Sequence, residues 1–511
     1  MSQTRKNSSS QSRSPGTLSY VHYAFCALAL QLVTGAAFAA IHSVGTNQTY
    51  AEIQDVPWET LNPGDTVEIH WRATPYRSKW VIARSGSSAD PITIRGIKNA
   101  NGERPIVSGD NAVTRTELDY WNEDRSVIKI GGSSFPAGPG RHIVIESLQI
   151  ESAHPNYNFS NDAGNPGTYR ANAASIYVEH GEHIVIRDCV LTDSGNGIFI
   201  ANLSSDITVE HSHLYGNGNS GSIFEHNAYT EAFGMLYQFN RFGALRLGAG
   251  GNNLKDRSAG LIVRYNWIED GNRQLDLVDS AKFALSNPSE YQTTIVYGNV
   301  LIEHDGQGNR QMIHYGGDSG NTNSYRKGML YFYNNTLVSE RSGRSTLFRL
   351  GTNDETADIR NNVFFNAGGE NSLELAATAG NYRFSNNWIR ADYVTSFDSG
   401  FIGTINHVAT TTGTDPGFTD RANQDYHPTD SSPLIGQATS LAASVAGNYP
   451  VTREYQIHVQ AVNRDEENRD IGAVSLKSQA LVKDVPALPL LMLAALGGIF
   501  ALLGFATTRN N

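Results

Sequence analysis

An Asn or Ser returns at one position of a repeating unit through much of this chain, each time just after a stretch of alternating apolar residues. The series opens at Leu148 in HIVIESLQI and continues at Cys189 in HIVIRDCVL, Ser212 in ITVEHSHL, Asn240 in LYQFNRF and Asn266 in LIVRYNWI. It runs on through Asn299 in TIVYGNVLI, Asn335 in LYFYNNTLV, Asn362 in ADIRNNVFF and Asn387 in YRFSNNWI. By subtraction the steps are 41, 23, 28, 26, 33, 36, 27 and 25 residues. A unit of that length, built of short strands and turns, cannot bury its apolar face alone. Stacked on its neighbours it makes a solenoid. The uneven steps are loops of different length leaving equivalent coils.

A second column follows the first. The segments SIYVE, GIFIA, ALRLG, QLDLV, MIHYG, LFRLG and SLELA alternate with period two. Successive strand residues point to opposite faces, so the apolar residues point in and the middle ones out. The outward set is Tyr177, Phe199, Arg246, Asp276, His314, Arg349 and Glu374, spaced about 4.8 Å apart along a stack. A solvated sheet face explains such a column. A groove for an extended polymer explains its mixed charge better, because long hydrated Lys residues suffice for solubility.

The remaining composition narrows the field. Abundant Gly and Asn with modest apolar content fit a turn-rich all-β protein. A net charge of −11, with no basic helix or aromatic RNA platform, argues against nucleic acid as a partner. An acidic ligand would have to be held by local Arg and Lys. The two cysteines are Cys26, within an apolar leader, and Cys189, in the inward turn column. Neither a disulfide nor a catalytic thiol is expected. Arg5, Lys6 and Arg13 precede an apolar run from Ala24 to Ala40, and Ala37, Phe38 and Ala39 offer a small-x-small cleavage site. A second apolar run, Val485 to Ala506, is long enough to span a bilayer or to act as a sorting tail.

The expected organisation is therefore a signal peptide over residues 1–39, an N-terminal cap and first coils over 40–115, and coils over 116–400. A last coil with a closing cap covers 401–476, a linker 477–484, and a transmembrane or sorting helix 485–506. Trp58 and Leu61 are expected in a short helix covering the open first coil, whose apolar core and unpaired backbone need protection. This organisation predicts a monomer at the cell surface or outside the cell, with its only membrane contact through the C-terminal helix.

PGDTV followed by SGSSADPITIRG resembles the N-terminal coils of right-handed parallel β-helix polysaccharide lyases, above all the alginate lyase and chondroitinase B group. DPGF, SPLIG and DIGA near the end are similar to the ends of many secreted bacterial β-helix proteins. The resemblance spans residues 45–475 and implies a pectate-lyase-like, single-stranded right-handed parallel β-helix. It implies reaction more weakly, since one fold hosts many chemistries.

Four polar stretches, Glu225 to Gly234, Leu245 to Gly260, Gly271 to Ser280 and Asn309 to Gly320, sit on neighbouring coils beside the outward column and should converge. The Gly-rich GAGGNN breaks the strand pattern, so Lys255 and Arg257 are expected on a loop leaving the coil. Elimination from a uronate needs a base, a cation on the carboxylate and a proton donor for the leaving oxygen. In the group that this chain resembles, a central Lys is the base and a nearby Arg assists. That assigns Lys255 as base and Arg273 as its assistant, with Arg257 near and His226, Tyr229 and His314 as acids. Arg246, Asp276, Asn253, Arg310, Tyr315, Arg349 and Glu231 are expected to bind substrate. Glu225, Asn227, Glu231 and Asp276 offer oxygen ligands for a Ca²⁺, which some lyases of that group hold near the substrate carboxylate. Two other functions fit the same residues. One is a glycoside hydrolase using Asp276 with Asp279 or Glu231; the other is a non-catalytic binder of surface exopolysaccharide.

Overall fold

Alternation and turns together fold the chain into three parallel sheets wound as one helix. The computed structural model describes residues 39–464 and 469–476, with the backbone of 478 and 479. All belong to one structural unit. The expected signal peptide and C-terminal apolar run lie outside the described residues, among which no helix is long and apolar enough to cross a membrane.

The stretches ahead of the Asn column form the first sheet, from Ile41–Val44 to Thr404–Val408. Its rungs are in register: Ile143, Ile184 and Ile207 pair in turn, as do Ile145, Ile186 and Val209, and all point into the core. The short strands after the Asn column form a second sheet of eleven strands, Ile106–Ser108 to Thr411–Gly413. The third sheet carries the outward column, from Ser78–Ile82 to Leu373–Thr378. Parallel strands joined by crossovers in this way are right-handed, so the fold is the expected right-handed parallel β-helix.

The corner between the first two sheets explains the repeat. The residue before each column member is left-handed, with φ between 50° and 66° at Ser147, Asp188, His211, Phe239, Tyr265, Gly298, Asn334, Asn361 and Asn386. This turns the chain sharply and sends the next side chain inward, where polar backbone is left over. Each Asn then bonds its neighbours. Asn299 Nδ2 donates to the carbonyls of Val263 and Tyr297 and to Asn335 Oδ1, while its own Oδ1 accepts from the backbone and side-chain N–H of Asn266. Ser212 does a smaller version, accepting from Cys189 N and donating to the Glu210 carbonyl. Cys189 is buried, and burial pushes its thiol up to about 12.

Two short 3-10 turns, Ile53–Asp55 and Trp58–Thr60, seat Trp58 on Trp80 at the first rung of the third sheet, with ring centroids 4.8 Å apart. At the other end the expected final coil forms at Thr404–Val408 and Thr411–Gly413. Residues 437–459 run back along the side of the stack as a strap, where the sequence suggests a closing cap. The strap meets the left-handed corner in reverse order. Gln437 accepts from Asn386, Thr439 from Asn361, and Tyr449 from Tyr333; Thr452 donates to Tyr265, and Val459 lies against His211. Val445 is buried among Phe239, Tyr265, Ile295, Tyr297 and Tyr333.

Candidate active site

The outward column of the third sheet pairs in the order Tyr177, Phe199, Tyr229, Lys255, Asp276, His314 and Arg349. Two expected members are replaced. ALRLG is a corner loop and not a strand: Leu247 is 95% exposed, and Arg246 donates to the Gly218 carbonyl and pairs with Asp193 at 2.8 Å. Its alternation mimics a strand, but the true rung begins after the glycines, at Leu254–Asp256. Lys255 therefore stands on the sheet itself and not on a loop. At the far end Ala377 pairs with Arg349, whereas Glu374 pairs with Thr346 and is buried, accepting from Ser396 Oγ and Phe397 N.

Around the middle of this column lies an open cleft of about 880 Å³. It is lined by Tyr229, Lys255, Arg257, Arg273, Asp276, His226 and Asp318, with Ile223, Phe224, Glu225 and Asn252 on one wall and Arg125, Arg170 and Phe199 toward the N-terminal coils. Five of the six residues assigned to catalysis from sequence thus share one cavity. His314 is one rung further on and 2% exposed, hydrogen-bonded to the wall through Asp276.

Lys255 Nζ is 2.6 Å from Asp276 Oδ2 and also donates to Asp318 Oδ2. Asp276 further accepts from His314 Nδ1 at 2.8 Å and Asn252 Nδ2 at 2.7 Å, with Arg273 Nη1 at 3.9 Å. Burial alone would push this carboxyl up. The His314 bond and the charges of Lys255 and Arg273 outweigh it and hold Asp276 well below the usual carboxylate range. Arg257 bonds Asp318 Oδ1 at 2.9 Å and donates from Nε to Tyr229 Oη at 3.1 Å. The phenol oxygen is thus an acceptor from Arg257, and its own hydrogen is free to point into the cleft.

The two histidines are neutral. Burial, then the Lys255 charge, pushes His226 down to about 3. His226 Nδ1 accepts from the Asn252 backbone, so Nε2 carries the hydrogen. His226 thus faces the cleft wall as a neutral imidazole whose Nε2–H is a hydrogen-bond donor. Burial also pushes His314 down, against the pull of Asp276. Its Nδ1 proton goes to Asp276, and Nε2 has no partner.

The expected substrate-binding set divides. Asp276 lies in the cleft wall. Asn253 and Tyr315 are wholly buried: Asn253 bonds Asn227 and the Glu269 carbonyl inside the coil, and Tyr315 belongs to the apolar core. Tyr315 flanks the outward His314 on its strand and so faces the interior, whereas Asn253 lies in the bend just before the strand Leu254–Asp256. Arg310 lies over the Phe397 ring at 5.5 Å, away from the cleft lining, and Glu231 accepts from Ser280 Oγ. Arg349 continues the column beyond His314.

The calcium ligand set does not assemble either. Asn227 points inward, accepting from Asn217 and donating to Asn253, and Glu231 is held by Ser280. Among the described residues no three His, Cys, Asp or Glu side chains are grouped to hold a metal. Sequence reasoning missed Asp318 and Arg125. Asp318 lies within NRQMIHYGGDSG, already a conspicuous polar stretch. Arg125 comes from the 3-10 turn Glu123–Arg125, far in sequence from the four polar stretches, and no local signal marks it.

No protein-family model matches this chain, and no curated protein is similar to it in sequence. Solved structures similar to it include pectate lyase Pel9A, at 12% identity and TM-score 0.48, covering 87% of this chain and 98% of that one. An alginate lyase from Paenibacillus sp. str. FPU-7 is similar at 15% identity and TM-score 0.41, covering 63% and 91%. A GH136 lacto-N-biosidase from Eubacterium ramulus is similar at 11% identity and TM-score 0.46, covering 73% and 68%.

Proposed function

We propose that this chain is a carbohydrate-active enzyme that cleaves an acidic, uronate-containing polysaccharide by β-elimination, outside the cell. The observation that carries this reading is the neighbourhood of Lys255: Tyr229 on the preceding rung, Arg273 beside the next, and all three lining one cleft. Arg273 lines the cleft and its charge is met only loosely, by Asp276 at 3.9 Å, so its guanidinium can take the substrate carboxylate and make the adjacent C5 proton acidic. Lys255, as the amine once its own proton has passed to solvent, takes that C5 proton. The C4–O bond breaks as the C4–C5 double bond forms, and Tyr229 donates its phenolic hydrogen to the departing oxygen. In the free protein Lys255 is a donor to two carboxylates. The base role requires Asp318, on an exposed loop, to give way as substrate enters.

The alternative is hydrolysis. It is favoured by the fact that Asp276 and Asp318 share one ammonium, which brings two carboxylates close together. Asp276 is a poor nucleophile, however, being 2% exposed with both oxygens already accepting. The deciding experiment incubates uronate polymers with wild type, Lys255→Gln and Tyr229→Phe, following ultraviolet absorbance of the unsaturated uronate and new reducing ends together. Elimination predicts both signals in wild type and a loss of about 10²–10⁴-fold in each variant. Reducing ends without absorbance would establish hydrolysis. Undiminished absorbance in Lys255→Gln would remove Lys255 from the mechanism.

A further inference from the structure

The N-terminal end of the cleft carries a cation that the chemistry at Lys255 does not use. Arg125 leaves a short 3-10 turn, Glu123–Arg125, and lays its guanidinium over two rings of the outward column, 4.7 Å from the centroid of Tyr177 and 4.6 Å from that of Phe199. Its Nε and Nη2 are buried and have no hydrogen-bond partner, so the guanidinium meets the cleft by its remaining edge. The other cations of this wall are already engaged: Arg170 by Asp124 at 2.6 Å, and Arg257 by Asp318. Arg125 is therefore charged, held flat by the rings and unsatisfied, while lining the same cavity as Lys255. A guanidinium fixed at the edge of a cleft with unsatisfied donors receives a carboxylate or sulfate.

We infer that Arg125 is a second anion subsite of the cleft, reading an acidic group on the polymer two to three sugar units from the bond that is cut. The spacing follows from the register. Phe199 and Tyr177 stand two and three rungs before Lys255, so Arg125 lies about 10–14 Å along the stack from Lys255. A pyranose unit in an extended chain covers a length comparable with one rung. A chain lying along the sheet thus brings every sugar opposite one outward side chain. The half-buried rings of Phe199 and Tyr229 form the floor between the two cationic positions, and exposed Phe224 forms the wall beside it. Sugar faces pack on such rings, and the acidic groups are received at the two ends. The ligand class is a polymer with repeated acidic units, bound over at least three or four of them. An isolated uronate in a neutral chain would leave Arg125 unused.

This inference rests on the uronate reading of the Lys255 site, and binding separates the two. The Lys255→Gln protein, which does not consume its ligand, is titrated calorimetrically with oligogalacturonates, oligomannuronates and oligoguluronates of two to six units, and with the carboxyl-reduced pentamers. The expected result is a rise in affinity of about tenfold between three and five units. That rise is absent for the reduced pentamer and is lost when Arg125→Gln is added with unchanged thermal stability. Arg125→Lys should recover only part of it. A length step that survives in Arg125→Gln overturns the inference while leaving the uronate reading intact. Absence of binding to every acidic oligomer overturns both.

Discussion

At the scale of single residues, the cleft is a set of buried charges whose protonation is tied to folding. His226 is neutral in the folded chain, pushed down to about 3, while an unfolded histidine titrates near pH 6.5. Below about pH 6.5 the unfolded chain therefore binds a proton that the folded chain does not, and stability is lost as pH falls toward the folded value. This group costs about 1.4 kcal/mol per pH unit over that window. His213, also pushed down to about 3 by burial, adds a similar slope. Urea midpoints measured at pH 7, 6 and 5 should fall steadily in wild type. In His226→Gln, whose amide oxygen can still accept from Asn252 N, the fall should be shallower by about that amount. The stabilisation from the depressed carboxyls Asp276 and Asp279 is fully present above about pH 4 and is lost only below it, where their unfolded forms protonate. An unchanged slope in His226→Gln would mean that the imidazole is solvated and charged in the fold. At the centre of the network, Asp276→Asn strips the buried partner from Lys255 and should cost about 3–5 kcal/mol, read from the same midpoints. None of these couplings is visible from spacing alone. Lys255 and Asp276 are recognisable in sequence as polar residues in strand context, but their pairing depends on a register that a false strand obscured.

At the scale of the element, the most legible feature was the corner. A buried Asn at every coil has a physical reason readable from the chain: a turn leaves backbone donors and acceptors inside, and an amide satisfies both at once. The positions from Asn240 to Asn387 stand in the structure as one ladder for that reason. The third sheet was less legible because its outward residues owe nothing to local pattern. LRL alternates as well as LDL does, and only the neighbouring rungs decide which one is a strand. The same logic ranks substitutions in the ladder. Asn299→Leu keeps the volume and orphans the Asn266 N–H and the Val263 and Tyr297 carbonyls, at a cost of about 2–4 kcal/mol. Asn299→Ser should cost less, since Ser212 performs the reduced role in the same column. Chemical denaturation of the two variants checks the order, and equal losses would mean that volume, not hydrogen bonding, governs the position.

At the scale of the whole molecule, the strap alters how a solenoid behaves. A stack in which each coil touches only its neighbours unfolds as a sum of local terms, and its cooperativity decays with length. Here residues 437–459 bind corners from Asn386 back to His211, so coils far apart in the stack share one partner. The attachment is stereochemically specific. Phe239 and Tyr265 adopt left-handed backbone angles that bulky residues seldom take, and each such angle costs about 1–2 kcal/mol. What offsets this is the stack of Phe239, Tyr265, Tyr297 and Tyr333 rings under Val445, with the hydroxyls of Tyr265 and Tyr333 reaching the strap backbone. Val445→Asp would bury a carboxylate in that cluster, which the strap can avoid only by lifting off. The expected outcome is a change in the form of unfolding as well as in its midpoint. Wild type should lose near-ultraviolet and far-ultraviolet dichroism in one coincident urea transition. In Val445→Asp the near-ultraviolet signal of the aromatic corner should be lost first, with a lowered m-value for the remaining sheet transition as separate coils open independently. The cleft lies on the third sheet, away from the corner between the first and second, so polymer binding should persist below the second transition. A single coincident transition in Val445→Asp with an unchanged m-value would show that nearest-neighbour stacking alone makes the rod cooperative and that the strap is only a cover.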